Sequence, residues 1–414
     1  MVTKEEANYV ALKKILESKP IWIDIKKAKD VVPGMNEKTI LHSGPPISWE
    51  NITGGQRQAI IGACIYEKLA LSEKEVDKKI KNESIILKPC QDHDCIGSLT
   101  GVYFPSMPVF VVKDEASNQV AFCSIYEGSQ KERLTYGVFN DKVIENLNFI
   151  NEIIAPILEE IVHKANGISL KPIMSRALRM GDELHSRNTA ATILFFNAIT
   201  PYLFKLKDTS EKEISEFIKY FNESELFFLH LAMAASKVTA NSIYNIDNCS
   251  IVTAMALNCK EFGIRVSTFG DKWFTAPIPK TEGKLFPGIK YEDIDYMGGE
   301  SLINETMGLG GFAQASSFPL QNYSGGTPEK MIENNRLMYE ITIGEHEQFK
   351  IPFFKYRGTP VGIDIFSVLQ KGISPIINMG LAHKKGGHAG AGILKAPLEC
   401  FEKATNTYKK KYLN

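Results

Sequence analysis

The 414-residue chain balances 48 Lys and Arg against 48 Asp and Glu, with 44% hydrophobic and 23% charged residues. That composition suits a soluble globular protein, and no charge block supports bulk binding to nucleic acid or an anionic membrane. No run approaches the ~18 consecutive apolar residues of a membrane span, and the length exceeds one typical core.

The opening "MVTKEEANYVALKKILESKP" is amphipathic without an uninterrupted apolar core, so it does not read as a secretory signal. "PIWIDIKKA" alternates as a strand does, and "GGQRQAIIGACIYEKLAL" restarts a helix. A β-rich section follows: "MPVFVVKD" and "QVAFCSIYEG" pair as a hairpin across "EASN", then comes "LTYGVF". From Asp141 the spacing of Val143, Leu147, Ile150, Ile154, Ile157, Leu158 and Ile161 predicts a long helix. Pro156 should kink it and Asn166-Gly167 should stop it.

Positions 168–240 read almost wholly helical. Ser210 with Glu213 forms a capping signature, and "ESELFFLHLAMAASKVTA" is apolar nearly all round, as a central buried helix is. His230 within it reads as a hydrogen-bonded core histidine. Strands return with "SIVTAMALN" and "GIRVSTF", before the glycine-rich "GGES", "GLGG" and "SGGTP". Thr327-Pro328 opens another helix, "SPIINMG" is strand-like, and a terminal helix starts near Pro397. The expectation is an α+β, multi-domain chain: an N-terminal α/β domain over 1–150, a small helical domain over 151–240 and a C-terminal α/β domain over 241–414.

Seven scattered cysteines fit reduced thiols in a cytoplasm better than a disulfide framework. Cys90, His93 and Cys95 in "PCQDHDC" have a metal-like spacing, but without a second pair a polar turn beside a buried thiol is favoured. No metal or cofactor is expected.

The densest polar segment is "GDELHSRNTAAT", directly before the apolar "ILFFNAI". If Asn188 or Thr189 caps the following helix, Asp182, Glu183, His185 and Arg187 sit just ahead of its positive end. Arg176 and Arg179 lie upstream, so three guanidinium groups could gather to bind carboxylate or phosphate. A histidine flanked by acids suits proton transfer, although an ion-pair network joining helices explains the same residues. Further polar sets hold Arg265, Asp271 and Trp273; Glu305; and Arg357, Asp364, Asn378 and His383. "GLGGFAQA" offers the backbone N–H groups of Gly310 and Gly311 to an anion, or is a tight turn needing positive φ. There is no GxSxG and no HExxH. The residues alone imply a site for a small, anionic, multiply hydrogen-bonded substrate, and no particular reaction.

"VPGMNEKTILHSGPPISWENITGGQRQAIIGA", "MGDELHSRNTAAT", "EFGIRVSTFGDKWFTAP", "YEITIGEHEQFKIPFFKYRGTPVGIDI", "PIINMGLAHKKGGHAGAG" and "APLECFEKA" resemble the YlbE/AllG family, from about residue 8 to the C-terminus. The chain departs from the family pattern at Leu184 and Ser186, where cysteine and asparagine are usual, and at "PCQDHDCIG". The resemblance implies a multi-domain α+β fold with a small helical domain. It also implies a subunit of oxamate carbamoyltransferase, which converts oxalurate and phosphate to oxamate and carbamoyl phosphate in anaerobic allantoin breakdown. AllF-like and AllH-like partner subunits, a cytoplasmic location and room for a homo-oligomer follow from it. Under that reading His185, Glu183 and Asn188 are catalytic. The substrate-binding set is Arg187, Arg176, Arg265, Asp271, Trp273, Glu305, Gly310, Gly311, Arg357, Asp364, Asn378 and His383. A scaffold, or a regulatory subunit that binds a small anion, is the alternative.

Overall fold

In the strand Pro108–Asp114, Phe110 and Val112 belong to one hydrophobic core while Val109 and Val111 belong to another. Side chains alternate faces along a strand, so a run of consecutive apolar residues marks a strand covered on both sides. A computed structural model describes residues 2–129 and 131–413, without the side chain of Glu282. Its largest sheet runs in the order Cys95–Ile96, Val120–Ser124, Pro108–Asp114, Pro20–Lys27, Ile168–Ser169. The expected hairpin is present, with Val109 opposite Ser124 and Lys113 opposite Val120.

One face of this sheet packs on the helices Lys4–Glu17, Ala155–Ala165, Thr189–Leu203 and Phe227–Ser242. Trp22, fully buried, sits edge-on to Phe110 at 5.7 Å and tilted against Phe195 at 5.5 Å. Each such ring contributes about 1.5–3 kcal/mol by leaving water. Every residue of Phe227–Ser242 is buried, as its all-round apolarity requires. The opposite face of the sheet carries the helix Gly54–Tyr66, with a parallel strand pair, Thr39–His42 and Ile86–Pro89. A third core joins the antiparallel strands Val252–Leu257, Glu261–Val266 and Phe274–Pro277 to the hairpin Ile376–His383/His388–Lys395 and the terminal helix Leu398–Tyr412. The arrangement is α+β. Among the described residues no helix is long and apolar enough to cross a membrane.

Local signals mostly act as expected. Ser210 and Glu213 form a reciprocal capping box, and Thr327 accepts from the Lys330 N–H ahead of a helix whose first residue is Pro328. Asn166 and Gly167 end their helix with φ of 55° and 88°. One expectation takes another form and one fails. The kink assigned to Pro156 takes another form: the helix Asp141–Phe149 runs through a π-helical turn, Ile150–Ile154, into Ala155–Ala165. The wider turn accommodates a proline that has no N–H to give. "LTYGVF" is no strand either. Leu134–Tyr136 is a 3₁₀ turn, because the buried Glu127 carboxylate accepts the N–H groups of Leu134 (2.7 Å) and Thr135 (2.9 Å). Gly137 ends it at φ 72°, where an added Cβ would sit 2.4 Å from the Gly55 Cα.

Candidate active site

Residues 180–188 form an irregular loop between the helices Lys171–Arg179 and Thr189–Leu203. The expected cap of the second helix is absent: Asn188 makes no side-chain capping bond. Asp182 replaces it from nine residues upstream, its Oδ2 accepting the Ala191 N–H at 2.8 Å and its Oδ1 the Arg187 guanidinium at 2.5 Å. Glu183, fully buried, turns back on its own loop. It accepts the N–H groups of His185 (2.9 Å), Ser186 (2.5 Å) and Arg187 (2.8 Å). Leu184, wrapped inside that clamp, is held at φ 66°, a left-handed conformation costly for a side chain with a Cβ. The polar residues thus tie the loop down, and what they present is His185.

His185 is locked from both ends. Its Nδ1 lies 2.8 and 2.9 Å from the two oxygens of Glu305, and its Nε2 lies 2.8 Å from the Ser301 Oγ. Glu305 is fully buried and also accepts the Gly311 N–H at 3.0 Å and the Asn378 N–H at 3.1 Å. A carboxylate can only accept, so the Nδ1 proton is directed to Glu305, and in the neutral ring Nε2 accepts from Ser301. Burial opposes a charge on His185, but Glu305, by charge and hydrogen bond, and Glu183, by charge, outweigh it and raise its pKa. Burial pushes Glu183 up to about 7, against the charge of His185 and with that of Glu305; Asp182 rises to about 6 through burial.

His185 and Ser301 border an inner chamber of ≈ 70 Å³, together with Arg133, Tyr136, Tyr323 and His388. An outer chamber of ≈ 390 Å³ shares Tyr126, Arg133, Ser186, Leu226, Tyr323 and His388 with it and adds Arg187 and Asn188. Arg133 lies over the rings of Tyr126 and Tyr136, 4.8 and 5.0 Å from their centroids, which orients its planar fork. His230 does bond as a core histidine, to the Ser124 carbonyl at 2.6 Å, and also lines the inner chamber. Burial lowers both His230 and His388 to about 4, so both are neutral near pH 7. The inner chamber therefore combines a fixed guanidinium, a histidine whose pKa is raised and a hydroxyl in contact with that histidine. Ser186 Oγ and Asn188 Oδ1 are buried without a hydrogen-bond partner among the described residues, leaving capacity for a polar ligand.

The predicted site residues divide. His185, Arg187 and Asn188 line the chambers, and Glu183, Glu305 and Asn378 hold the loop and the histidine in place. Glu305 is thus a partner of His185, where substrate contact was expected. The N–H groups of Gly310 and Gly311 are already spent, on the Glu183 carbonyl (2.7 Å) and on Glu305, so they do not face an oxyanion. The tight-turn reading of that loop holds: Gly310 has φ 56°, and a Cβ there would strike Glu305. Arg176 is exposed on its helix and lines neither chamber, so the three guanidinium groups do not gather. Arg265, Asp271 and Trp273 form their own cluster: Arg265 is buried, paired with Asp92 and with Asp271 at 3.4 Å, and 4.5 Å from the Trp273 ring. Arg357 pairs with Glu345 on the surface at 2.6 Å, and Asp364 caps the helix Ile365–Lys371. His383 closes a turn by accepting the Lys385 N–H. Cys90, His93 and Cys95 do not form a ligand set; the Cys90 thiol donates to the Gly101 carbonyl at 2.9 Å. Asp24, Glu159 and His163 do approach one another, but Lys26 already occupies them, 2.5 Å from Glu159 and 3.4 Å from Asp24.

Sequence reasoning missed Ser301, Arg133, Tyr136, Tyr323 and His388. The spacing of Ser301 and Glu305, one helical turn apart, is a signal that could have paired the first of these with the acid.

Comparison with known proteins bears on this site. Residues 85–301 match the family described as oxamate carbamoyltransferase subunit AllG. The chain is 38% identical over 410 residues to a protein of Escherichia coli (strain K12) named uncharacterized protein YahG, covering 98% of this chain and 86% of that one. It is 34% identical over 404 residues to oxamate carbamoyltransferase subunit AllG of the same organism, covering 96% of each. A crystal structure of a conserved protein of unknown function from Enterococcus faecalis V583 superposes with a TM-score of 0.95 at 36% identity, over 98% of both chains. The chain belongs to the AllG family of oxamate carbamoyltransferase subunits.

Proposed function

We propose that this chain carries the carbamoyl-transfer site of an oxamate carbamoyltransferase complex, working with AllF-like and AllH-like subunits. The reaction is that of oxalurate and phosphate giving oxamate and carbamoyl phosphate, in anaerobic use of allantoin and purine nitrogen. The observation that carries this reading is His185, buried and oriented by Glu305, at the wall of a chamber that also holds Arg133. Oxalurate brings a carboxylate that suits the Arg133 fork. Its departing nitrogen needs a proton, which a histidine of raised pKa can supply. The outer chamber admits the substrates. The division into 1–150, 151–240 and 241–414 belongs to the same reading, with the chambers at the junction. Tyr126 and Arg133 come from the first segment, His185 and Leu226 from the second, and Ser301, Tyr323 and His388 from the third.

The test is carbamoyl phosphate formation from oxalurate and phosphate by the complex assembled with its partner subunits. His185→Ala should lower turnover by about 10²–10⁴-fold, the usual contribution of a positioned acid–base group. Assembly and melting temperature of the variant complex should be measured alongside. An assembled His185→Ala complex with unchanged turnover would overturn the proposal in favour of a scaffold or regulatory role.

A further inference from the structure

The geometry points to Ser301 as a covalent carbamoyl acceptor, so that the transfer proceeds by double displacement through a carbamoyl-serine. This rests on the carbamoyl-transfer reading and adds the order of its steps.

Ser301 and Glu305 are four residues apart around the short helix Ile303–Thr306, with the Asn304 N–H bonded to the Ser301 carbonyl at 3.0 Å. Ser301 lies in the turn that leads into this helix and Glu305 within it, so a short stretch of chain carries both the hydroxyl and the carboxylate. The His185 imidazole is inserted between them from a different loop, making the hydrogen-bonded series Ser301–His185–Glu305. Each member is held by something further. Gly311 and Asn378 hold Glu305, the Glu183 clamp holds the His185 backbone, and paired bonds between Gly299 and Leu257 (3.0 and 2.8 Å) hold the approach to Ser301. A hydroxyl next to a base that a third group orients is the arrangement of an activated nucleophile, whatever the fold.

The steps balance. Ser301 Oγ attacks the ureido carbon of oxalurate, and its proton passes to His185 Nε2. The bond from that carbon to the oxamate nitrogen breaks, the nitrogen keeping the electron pair and taking the proton from His185. Oxamate departs. A phosphate oxygen then attacks the carbamoyl carbon, its proton going to His185. The carbon–Oγ bond breaks, and Ser301 recovers the proton as carbamoyl phosphate leaves.

The experiment uses the assembled complex with oxalurate and isotopically labelled oxamate but no phosphate. Label should enter oxalurate in the wild type. After acid quench, the peptide containing Ser301 should carry the mass of one carbamoyl group. Ser301→Ala should abolish both signals, and Ser301→Cys should retain a carbamoylated peptide at the same position, which separates loss of the nucleophile from loss of the fold. Wild-type complex that makes carbamoyl phosphate yet shows no exchange overturns the covalent step in favour of direct transfer and leaves the carbamoyl-transfer reading standing. Exchange that persists in Ser301→Ala also overturns it. Turnover unaffected by His185→Ala overturns the underlying reading instead.

Discussion

Two polar clusters in this chain look alike in sequence and differ in kind. Around Arg265, the buried guanidinium meets Asp92, Asp271 and the Tyr244 hydroxyl, and lies against the Trp273 ring. Around His185, the carboxylates spend their bonds on backbone N–H groups and on the imidazole, while the Ser186 Oγ and the Asn188 Oδ1, from residues that line the chambers, have no partner among the described residues. The Arg265 Nε and the Trp273 Nε1 are also buried without a partner among the described residues, but they line neither chamber. Counting polar residues along a segment cannot separate the two. What separates them is whether the unpartnered hydrogen-bonding groups belong to residues that line a chamber.

The sharpest way to break this contrast is at Arg265. Arg265→Ala removes a fully buried side chain that packs on Trp273 and bonds Asp92 and the Tyr244 hydroxyl, and a large-to-small change of that kind costs about 2–5 kcal/mol of stability. Denaturant unfolding should show that loss, while kcat/KM of the folded fraction in the assembled complex stays within about threefold, as expected for independent sites. A large fall in kcat/KM without destabilisation would move Arg265 into the reaction.

Next in size is a pH effect at Glu183. Its folded pKa of about 7 lies above the ordinary 4.5, so the folded state holds the proton more tightly. The stability this gives is complete below pH 4.5 and is lost as the pH rises through 7. The total is about 3 kcal/mol at 1.36 kcal/mol per unit. Glu183→Gln cannot ionise, so wild type should lose stability relative to the variant between pH 4.5 and 8. A difference independent of pH would show that Glu183 stays ionised in its cradle of three N–H groups.

The smallest expected effect is at Arg133. Arg133→Lys keeps the charge but loses the planar fork and the stacking on Tyr126 and Tyr136. The KM for oxalurate should rise by about 10–50-fold, or about 1.4–2.3 kcal/mol, with kcat changed less. An unchanged KM would remove Arg133 from the carboxylate site.

The fold was largely legible, because periodicity and capping act locally. The hairpin, the all-buried helix and the Ser210 and Thr327 caps follow from residues within a few positions of each other. The site was legible only where it is also local. "GDELHSRN" stands out because six polar side chains precede an apolar helix, and that marks His185 as a candidate. Arg133 was hidden because its segment alternates like a strand, while Glu127, six residues upstream, bends it into a turn. Ser301 was hidden because "GGES" matches no nucleophile motif, and its meaning depends on a histidine 116 residues earlier. Arg357 and Asp364 lie away from the chambers: one forms a surface pair and the other caps a helix, places that charge alone does not distinguish from binding.

The chamber wall also has a consequence for how the chain tolerates change. Its residues come from 98–136, 185–230, 301–323 and 380–388, so no contiguous fragment contains the site. A ligand that fills it binds only when all four stretches are docked, and so acts as a non-covalent staple across most of the sequence. At a hundredfold excess over its Kd, such a ligand adds about 2.7 kcal/mol against global unfolding, with nothing to bind in the unfolded chain. Thermal protection by a bound small anion would then spread to helices far from the chamber.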